Sequence, residues 1–283
     1  MLLAADVGNT QTHLGVFKGP DLVHEWRAAT DARRTADELA LLFGEFLQLG
    51  DLSFSRQITG VVISSVVPRA TQELREMTAT YFGFPAVIVE PGVKTGIAVL
   101  TENPREVGAD RIANAVAAHD LWPGEPVIVV DFGTAITVDA VSERGEYLGG
   151  AIAPGIDTAA TALFAATAQI RRVELVAPPS AIGKSTVTSV QSGIIFGTAA
   201  LADGLVERIA AELDREARVV ATGGLAPVVV QHSRRIEKVD SMLTLRGLRI
   251  IYDRNSDDGS PRRAAKDDDG SPRRAAKDGR ADG

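Results

Sequence analysis

Asp6-Val7-Gly8-Asn9-Thr10 and, in the second half of the chain, Asp131-Phe132-Gly133-Thr134 are the stretches on which the fold turns. Each closes an apolar run, Leu2–Val7 in one case and residues 126–130 in the other, and each opens an alternating segment, residues 12–17 and Ala135–Val141. The unbroken apolar run at 126–130 predicts a strand covered on both faces, and period-two alternation predicts strands with one buried face. A strand-end carboxylate followed by glycine and a hydroxyl residue in a tight turn can hold a cation while its backbone amides meet an anion. Read singly, each stretch also fits an ordinary hairpin turn, where Asn and Gly are favoured. Their recurrence at equivalent places in two halves points to paired phosphate loops across a cleft, an arrangement that suits a nucleotide.

Working outward, the first half reads as strands at Leu2–Val7, 12–17 and 22–28, a helix at Ala36–Leu49, a strand at 60–66, a helix at 71–81 and a strand at 85–89. The second half repeats the plan with strands at 126–130, Ala135–Val141 and 147–153. Helices at 156–169 and 187–213, a strand at Arg218–Thr222 and a helix at 243–252 complete it. The expected organisation is therefore α/β, with an N-terminal lobe at 1–120, a C-terminal lobe at 121–255 and a cleft between them. Residues 256–283 stand apart, because the unit DDGSPRRAAKD at 257–267 recurs unchanged at 268–278. With no Val, Ile, Leu or Phe, this tail cannot bury enough apolar area to offset the entropy of ordering, so it is expected to be disordered.

Composition narrows the function classes. The 283 residues are 45% hydrophobic and 24% charged, the balance of a globular chain. The absence of cysteine excludes disulfides, thiolate metal sites and a cysteine nucleophile. A net charge of −7 opposes general nucleic-acid binding, which rests on a basic surface. No leader-like segment and no 18-residue uncharged apolar run are found, so the expectation is a cytoplasmic protein with no membrane span.

The paired loops resemble those of the actin-like ATPase and sugar-kinase superfamily, whose two ribonuclease-H-like lobes each give one acidic loop to ATP. The likeness narrows through four stretches: Asn103-Pro104-Arg105-Glu106-Val107-Gly108-Ala109-Asp110-Arg111, Asp131-Phe132-Gly133-Thr134-Ala135, Gly149-Gly150-Ala151-Ile152-Ala153-Pro154-Gly155, and Gln191-Ser192-Gly193. In order and spacing these resemble type III pantothenate kinase over about residues 1–255. The resemblance implies ATP-dependent phosphorylation of the primary hydroxyl of pantothenate, the first committed step toward coenzyme A.

It also implies roles. Asp6 would hold Mg²⁺, directly or through water, while Val7, Gly8, Asn9, Thr10, Gln11, Thr12, His13 and, from the other lobe, Thr134 would meet the phosphates. Asp110 would accept the hydroxyl proton, and Arg111 would grip the pantothenate carboxylate beside Gly108 and Ala109. Adjacent helical side chains diverge by about 100 degrees, so both reach one pocket only at a helix start. Read without the resemblance, Asp110 and Arg111 equally fit a surface pair opening a helix. Asp131 matches the position of a monovalent cation, K⁺ or ammonium, and Thr186 matches a pantothenate contact. Gly223-Gly224 falls where the superfamily runs its backbone along adenosine. A homodimer with the pantothenate pocket near the subunit interface is implied as well.

Thr101 departs from the family, many members of which carry a substrate-packing aromatic there; the loss is worth on the order of 1 kcal/mol of packing. Gly183-Lys184-Ser185-Thr186 mimics the end of a P-loop, but its first glycine would fall at Pro178, so it is not one. The histidines His13, His24, His119 and His232 lack metal-ligand spacing. Two rival functions remain within the fold: a phosphohydrolase, and a nucleotide-binding accessory or regulatory protein, which would have little need of a base such as Asp110.

Overall fold

The computed structural model describes residues 1–167 and 172–256, so the duplicated tail and the end of the helix expected at 156–169 lie outside the described residues. The first sheet comprises β1 (Leu2–Val7), β2 (Gln11–Lys18), β3 (Asp21–Ala29), β4 (Gly60–Ser65) and β5 (Val87–Ile88), in the order β3-β2-β1-β4-β5. The second comprises β6 (Ala98–Val99), β7 (Val127–Phe132), β8 (Ala135–Val141), β9 (Glu146–Pro154), β10 (Arg218–Thr222) and β11 (Lys238–Val239), in the order β11-β10-β7-β8-β9-β6. In each sheet a central strand pairs antiparallel with its own hairpin and parallel with a later strand: β1 with β2 and β4, β7 with β8 and β10. The repeated plan read from the acidic turns is thus a repeated topology, and the chain is α/β with two mixed sheets.

The helices are α1 (Ala36–Leu49), α2 (Pro68–Met77), α3 (Ala109–Leu121), α4 (Ile156–Ala166), α5 (Thr186–Ala210), α6 (Ala226–Val230) and α7 (Leu243–Ser256). A capping box between Thr35 and Glu38 starts α1, whose Leu39, Phe43 and Leu47 recur at four-residue spacing and are buried. Helix α2 starts at Pro68 rather than at residue 71, since proline at the first turn loses no hydrogen bond there. It passes into a π turn, Thr78–Phe82, ended by left-handed Gly83.

Alternate residues of β1 serve different layers: Leu3, Ala5 and Val7 pack with α1 and α2, whereas Leu2 and Ala4 pack with α3 and α7. Helix α7 follows the second sheet in the chain but covers the first through Leu245, Leu248 and Ile251. Helix α3 touches both sheets, through Ile112, Ala113 and Val116 on one side and Ala117 and Ala118 against Val127, Val129 and Val220 on the other. Its crossing with α7 is close because of Gly247, where a Cβ would lie 1.9 Å from the Ala113 carbonyl oxygen. The layer α3/α7 therefore holds the two sheets at a set separation, and the N-terminus of α3 emerges between the two acidic hairpins.

Candidate active site

Asp6 sits at the end of β1, level with His13 of β2 and Ser64 of β4. Asp131 sits at the end of β7, level with Thr137 of β8 and Thr222 of β10. Each hairpin is closed by a glycine amide, Gly8 N–H to the Gln11 carbonyl at 3.0 Å and, in a turn one residue shorter, Gly133 N–H to the Ala135 carbonyl at 3.1 Å. They meet across the cleft, where Thr10 Oγ1 and Thr134 Oγ1 are hydrogen-bonded at 2.8 Å.

Asp110 occupies the first turn of α3, with Gly108 as the N-terminal cap. A Cβ at Gly108 would lie 2.4 Å from Asp110 Oδ1, so only glycine leaves the carboxylate its place over the helix start. The Arg111 backbone N–H donates to Asp110 Oδ1 at 2.8 Å. Burial, then the charge of Asp110, pushes the Asp6 carboxyl up to about 7; Ser64 and Asp131 have smaller, opposing effects. Burial and the Asp110 charge likewise push Asp131 up to about 7, against the Asn114 hydrogen bond that favours its ionised form. Asp110 itself is raised by burial. Among the described residues none of the three enters a salt bridge; the charge of Arg111, itself paired with Asp139, favours ionised Asp110, whereas no cationic side chain offsets Asp6 or Asp131. The Ser64 hydroxyl, buried beside Asp6, makes no hydrogen bond of good geometry. Hard oxygen donors with uncompensated charge suit Mg²⁺ and K⁺. No three acidic or histidine side chains converge on one point among the described residues, so Mg²⁺ here would complete its shell with water and phosphate oxygens.

A family model described as type III pantothenate kinase matches residues 2–208. The chain belongs to the type III pantothenate kinase family. Type III pantothenate kinase from Streptomyces coelicolor is 54% identical over 263 residues, spanning 90% of this chain and 98% of that one. Among solved structures, a Baf family transcriptional activator from Campylobacter jejuni superposes with a TM-score of 0.57 at 20% identity, covering 90% of this chain and 99% of that one. The activator of 2-hydroxyisocaproyl-CoA dehydratase from Clostridium difficile, solved with bound ADPNP, gives 0.56 at 14% identity, covering 91% and 96%. These likenesses show the fold alone, that of the actin-like ATPases.

Within this kinase the remaining expected residues are distributed unevenly. Arg111 lies at the cleft, held by Asp139 of β8. His13 Nε2 donates to Glu25 Oε2 at 3.2 Å, and the imidazole is held below the usual histidine range by burial and then by Arg27. Thr12 is not brought to the cleft: its hydroxyl is buried on the other face of the sheet and bonded to Thr30 Oγ1 at 2.9 Å. The Val7 side chain is buried there too, which leaves only backbone groups of both residues for phosphate. Thr101 packs near Gly149, and its Oγ1 is buried without a hydrogen-bond partner. Thr186 is exposed at the start of α5, and no hydrogen bond among the described residues ties it to the cleft. Ser185 caps that helix in a box with Thr188, which is what the P-loop-like Gly-Lys-Ser-Thr string does here.

Sequence reading missed Asn114, Asp139 and Tyr147. Asn114 is fully buried, donates to Asp131 Oδ2 at 3.1 Å and accepts from Thr244 of α7 at 2.7 Å. Its signal was a lone amide one turn after Asp110 on an otherwise apolar helix face. Asp139 is the one acid in the alternating strand Ala135–Val141, and its burial shows only once β9 is laid beside it.

Proposed function

We propose that this kinase transfers the γ-phosphoryl group of ATP to the primary hydroxyl of pantothenate with Asp110 as base, in a cleft whose two walls are the Asp6 and Asp131 hairpins. The observation that carries the reading is the 2.8 Å contact of Thr10 with Thr134, because it brings two anion-binding turns to opposite sides of one small volume. Phosphoryl transfer has a loose transition state, so alignment and charge neutralisation supply most of the acceleration. The pantothenate oxygen bonds to the γ-phosphorus as the bond to the β-γ bridging oxygen breaks, ADP departs, and the hydroxyl proton passes to Asp110. A carboxyl raised by burial is a stronger base near neutral pH, which favours that transfer. With the Gly8 and Gly133 N–H groups closing the turns, the backbone amides of Asn9, Thr10 and Thr134 and the hydroxyls of Thr10 and Thr134 approach the phosphates, with Gln11 and His13 beside them. Gly108 and Ala109 shape the wall on which pantothenate lies, Arg111 grips its carboxylate, and Thr101 stands where an aromatic would otherwise pack.

Mg²⁺ on Asp6 and K⁺ or ammonium on Asp131, when bound, would neutralise charge on the phosphate oxygens. Asn114 holds the Asp131 carboxylate in one orientation.

The two lobes at 1–120 and 121–255 are proposed as the units that carry the two loops. Against the expectation of no membrane-length apolar run, α5 is long and apolar enough to cross a membrane, because its Gly, Ala, Ser and Thr residues dilute but do not charge the stretch; only a third of that stretch is buried, which supports a homodimer. Gly193, Gly197 and Gly204 stand on it with open space above them, so a second copy could approach closely and bring Thr186 toward a pantothenate pocket. A cytoplasmic enzyme without nucleic-acid or membrane partners agrees with the acidic composition.

Coupled ADP release with and without pantothenate, at fixed ATP and with and without K⁺, tests the reading. Pantothenate-dependent ADP release stimulated by K⁺ supports it. ADP release indifferent to pantothenate supports the phosphohydrolase alternative, and no release supports the regulatory one.

A further inference from the structure

We propose that Asp139 is a positioning residue that holds Arg111 away from the base and turned toward the pantothenate carboxylate; this rests on the roles given above to Asp110 and Arg111. Asp139 is 1% exposed. It accepts hydrogen bonds from Arg111 Nε at 3.1 Å, from one Arg111 Nη, from Tyr147 Oη at 2.7 Å and from Thr137 Oγ1 at 3.0 Å. The neighbouring strand is shaped to it, since a Cβ at Gly150 would lie 2.7 Å from Asp139 Oδ1. The Tyr147 ring stands 5.7 Å from the Arg111 guanidinium and gives it an aromatic face.

The need for such a clamp follows from sequence adjacency. Asp110 must stay ionised and unpaired to take a proton, yet the next residue carries a permanent cation. Arg111 meets the Asp110 carboxylate through its backbone N–H, and among the described residues no side-chain hydrogen bond or salt bridge joins the two. Asp139 occupies the Nε edge of the guanidinium fork, leaving the other Nη for a second carboxylate. Burial alone would weaken the Arg111 cation, and the hydrogen bond and charge of Asp139 hold it in place.

The test compares pantothenate with panthenol, in which a hydroxymethyl group replaces the carboxylate, for the intact enzyme and for Asp139→Asn, Tyr147→Phe and Arg111→Met. KM is measured for pantothenate and ATP, and panthenol is measured as a substrate or as a competitor. Asp139→Asn is expected to raise the pantothenate KM about tenfold or more while ATP KM and panthenol affinity stay within about threefold. Tyr147→Phe keeps the ring and is expected to move the same ratio by roughly threefold, which carries the test should Asp139→Asn fail to fold. If both variants weaken pantothenate and panthenol alike, Asp139 is only structural and the proposal is wrong. If Arg111→Met also leaves the pantothenate-to-panthenol ratio unchanged, Arg111 does not read the carboxylate, and both the underlying role and the proposal fall.

Discussion

Thr10 and Thr134, on hairpins from opposite sheets, share a hydrogen bond of 2.8 Å between their side-chain oxygens. Both residues are exposed, so the bond adds little to stability; the proposed reading gives both hydroxyls to the phosphates. Thr10→Val and Thr134→Val are each expected to raise the KM for ATP by roughly 2- to 10-fold with a nearly unchanged melting temperature. The double variant should fall short of the product of the two, since they share one interaction; steady-state kinetics of the four proteins measures it.

Neutralising either strand-end acid should separate stability from activity. A carboxyl whose folded value is about 7 against an ordinary 3.8 is destabilised as an anion by the fold. Asp6→Asn and Asp131→Asn are expected to gain on the order of 1 kcal/mol, about 2–4 °C by differential scanning calorimetry at pH 8, while losing most turnover. A loss of stability in both would show that these carboxylates are structurally needed.

The same shifts set a pH dependence. With folded values above unfolded ones, the folded state is the better proton binder, so this contribution to stability is greatest at low pH and declines as pH rises from about 4 to 7. Metal-free protein should therefore melt higher at pH 5.5 than at pH 8. Mg²⁺ should raise the melting temperature more at pH 8, where the carboxylates are free of protons. Parallel melts at the two pH values, with Mg²⁺ and with a chelator, check both statements.

Gly223 has a φ of 94°, and a Cβ there would lie 2.6 Å from Asp131 Oδ1 and 2.6 Å from Phe132 backbone atoms. Gly223→Ala is expected to cost more than about 1 kcal/mol of stability and to blunt activation by K⁺. Chemical denaturation and a K⁺ titration of the rate read the two effects. Unaltered K⁺ activation would place the monovalent ion elsewhere.

Much of this architecture was legible in the sequence because apolar periodicity reports burial directly: Leu2–Val7, Ala36–Leu49, Ala135–Val141 and Arg218–Thr222 have the expected bounds. The two-residue strands β6 and β11 were not, since neither lies in an apolar run as long as the one at 85–89 that marked β5. Nor was the placement of α7 over the first sheet, because Leu245, Leu248 and Ile251 say that a face is buried and not against what. At the cleft, the glycine-bearing motifs were visible as local turns. Asp139 and Asn114 were not, because their importance comes from partners 28 and 17 residues away along the chain, Arg111 and Asp131. Thr12 shows the converse: a motif position can turn its side chain away when strand alternation requires it.

Pantothenate-dependent ADP release by Asp110→Asn tests the central claim most directly. The asparagine keeps the volume and cannot take a proton, so the account predicts a fall in kcat of about 10²- to 10⁴-fold with melting temperature and ATP binding retained. Turnover within about twofold of the parent would remove Asp110 as the base and contradict the account.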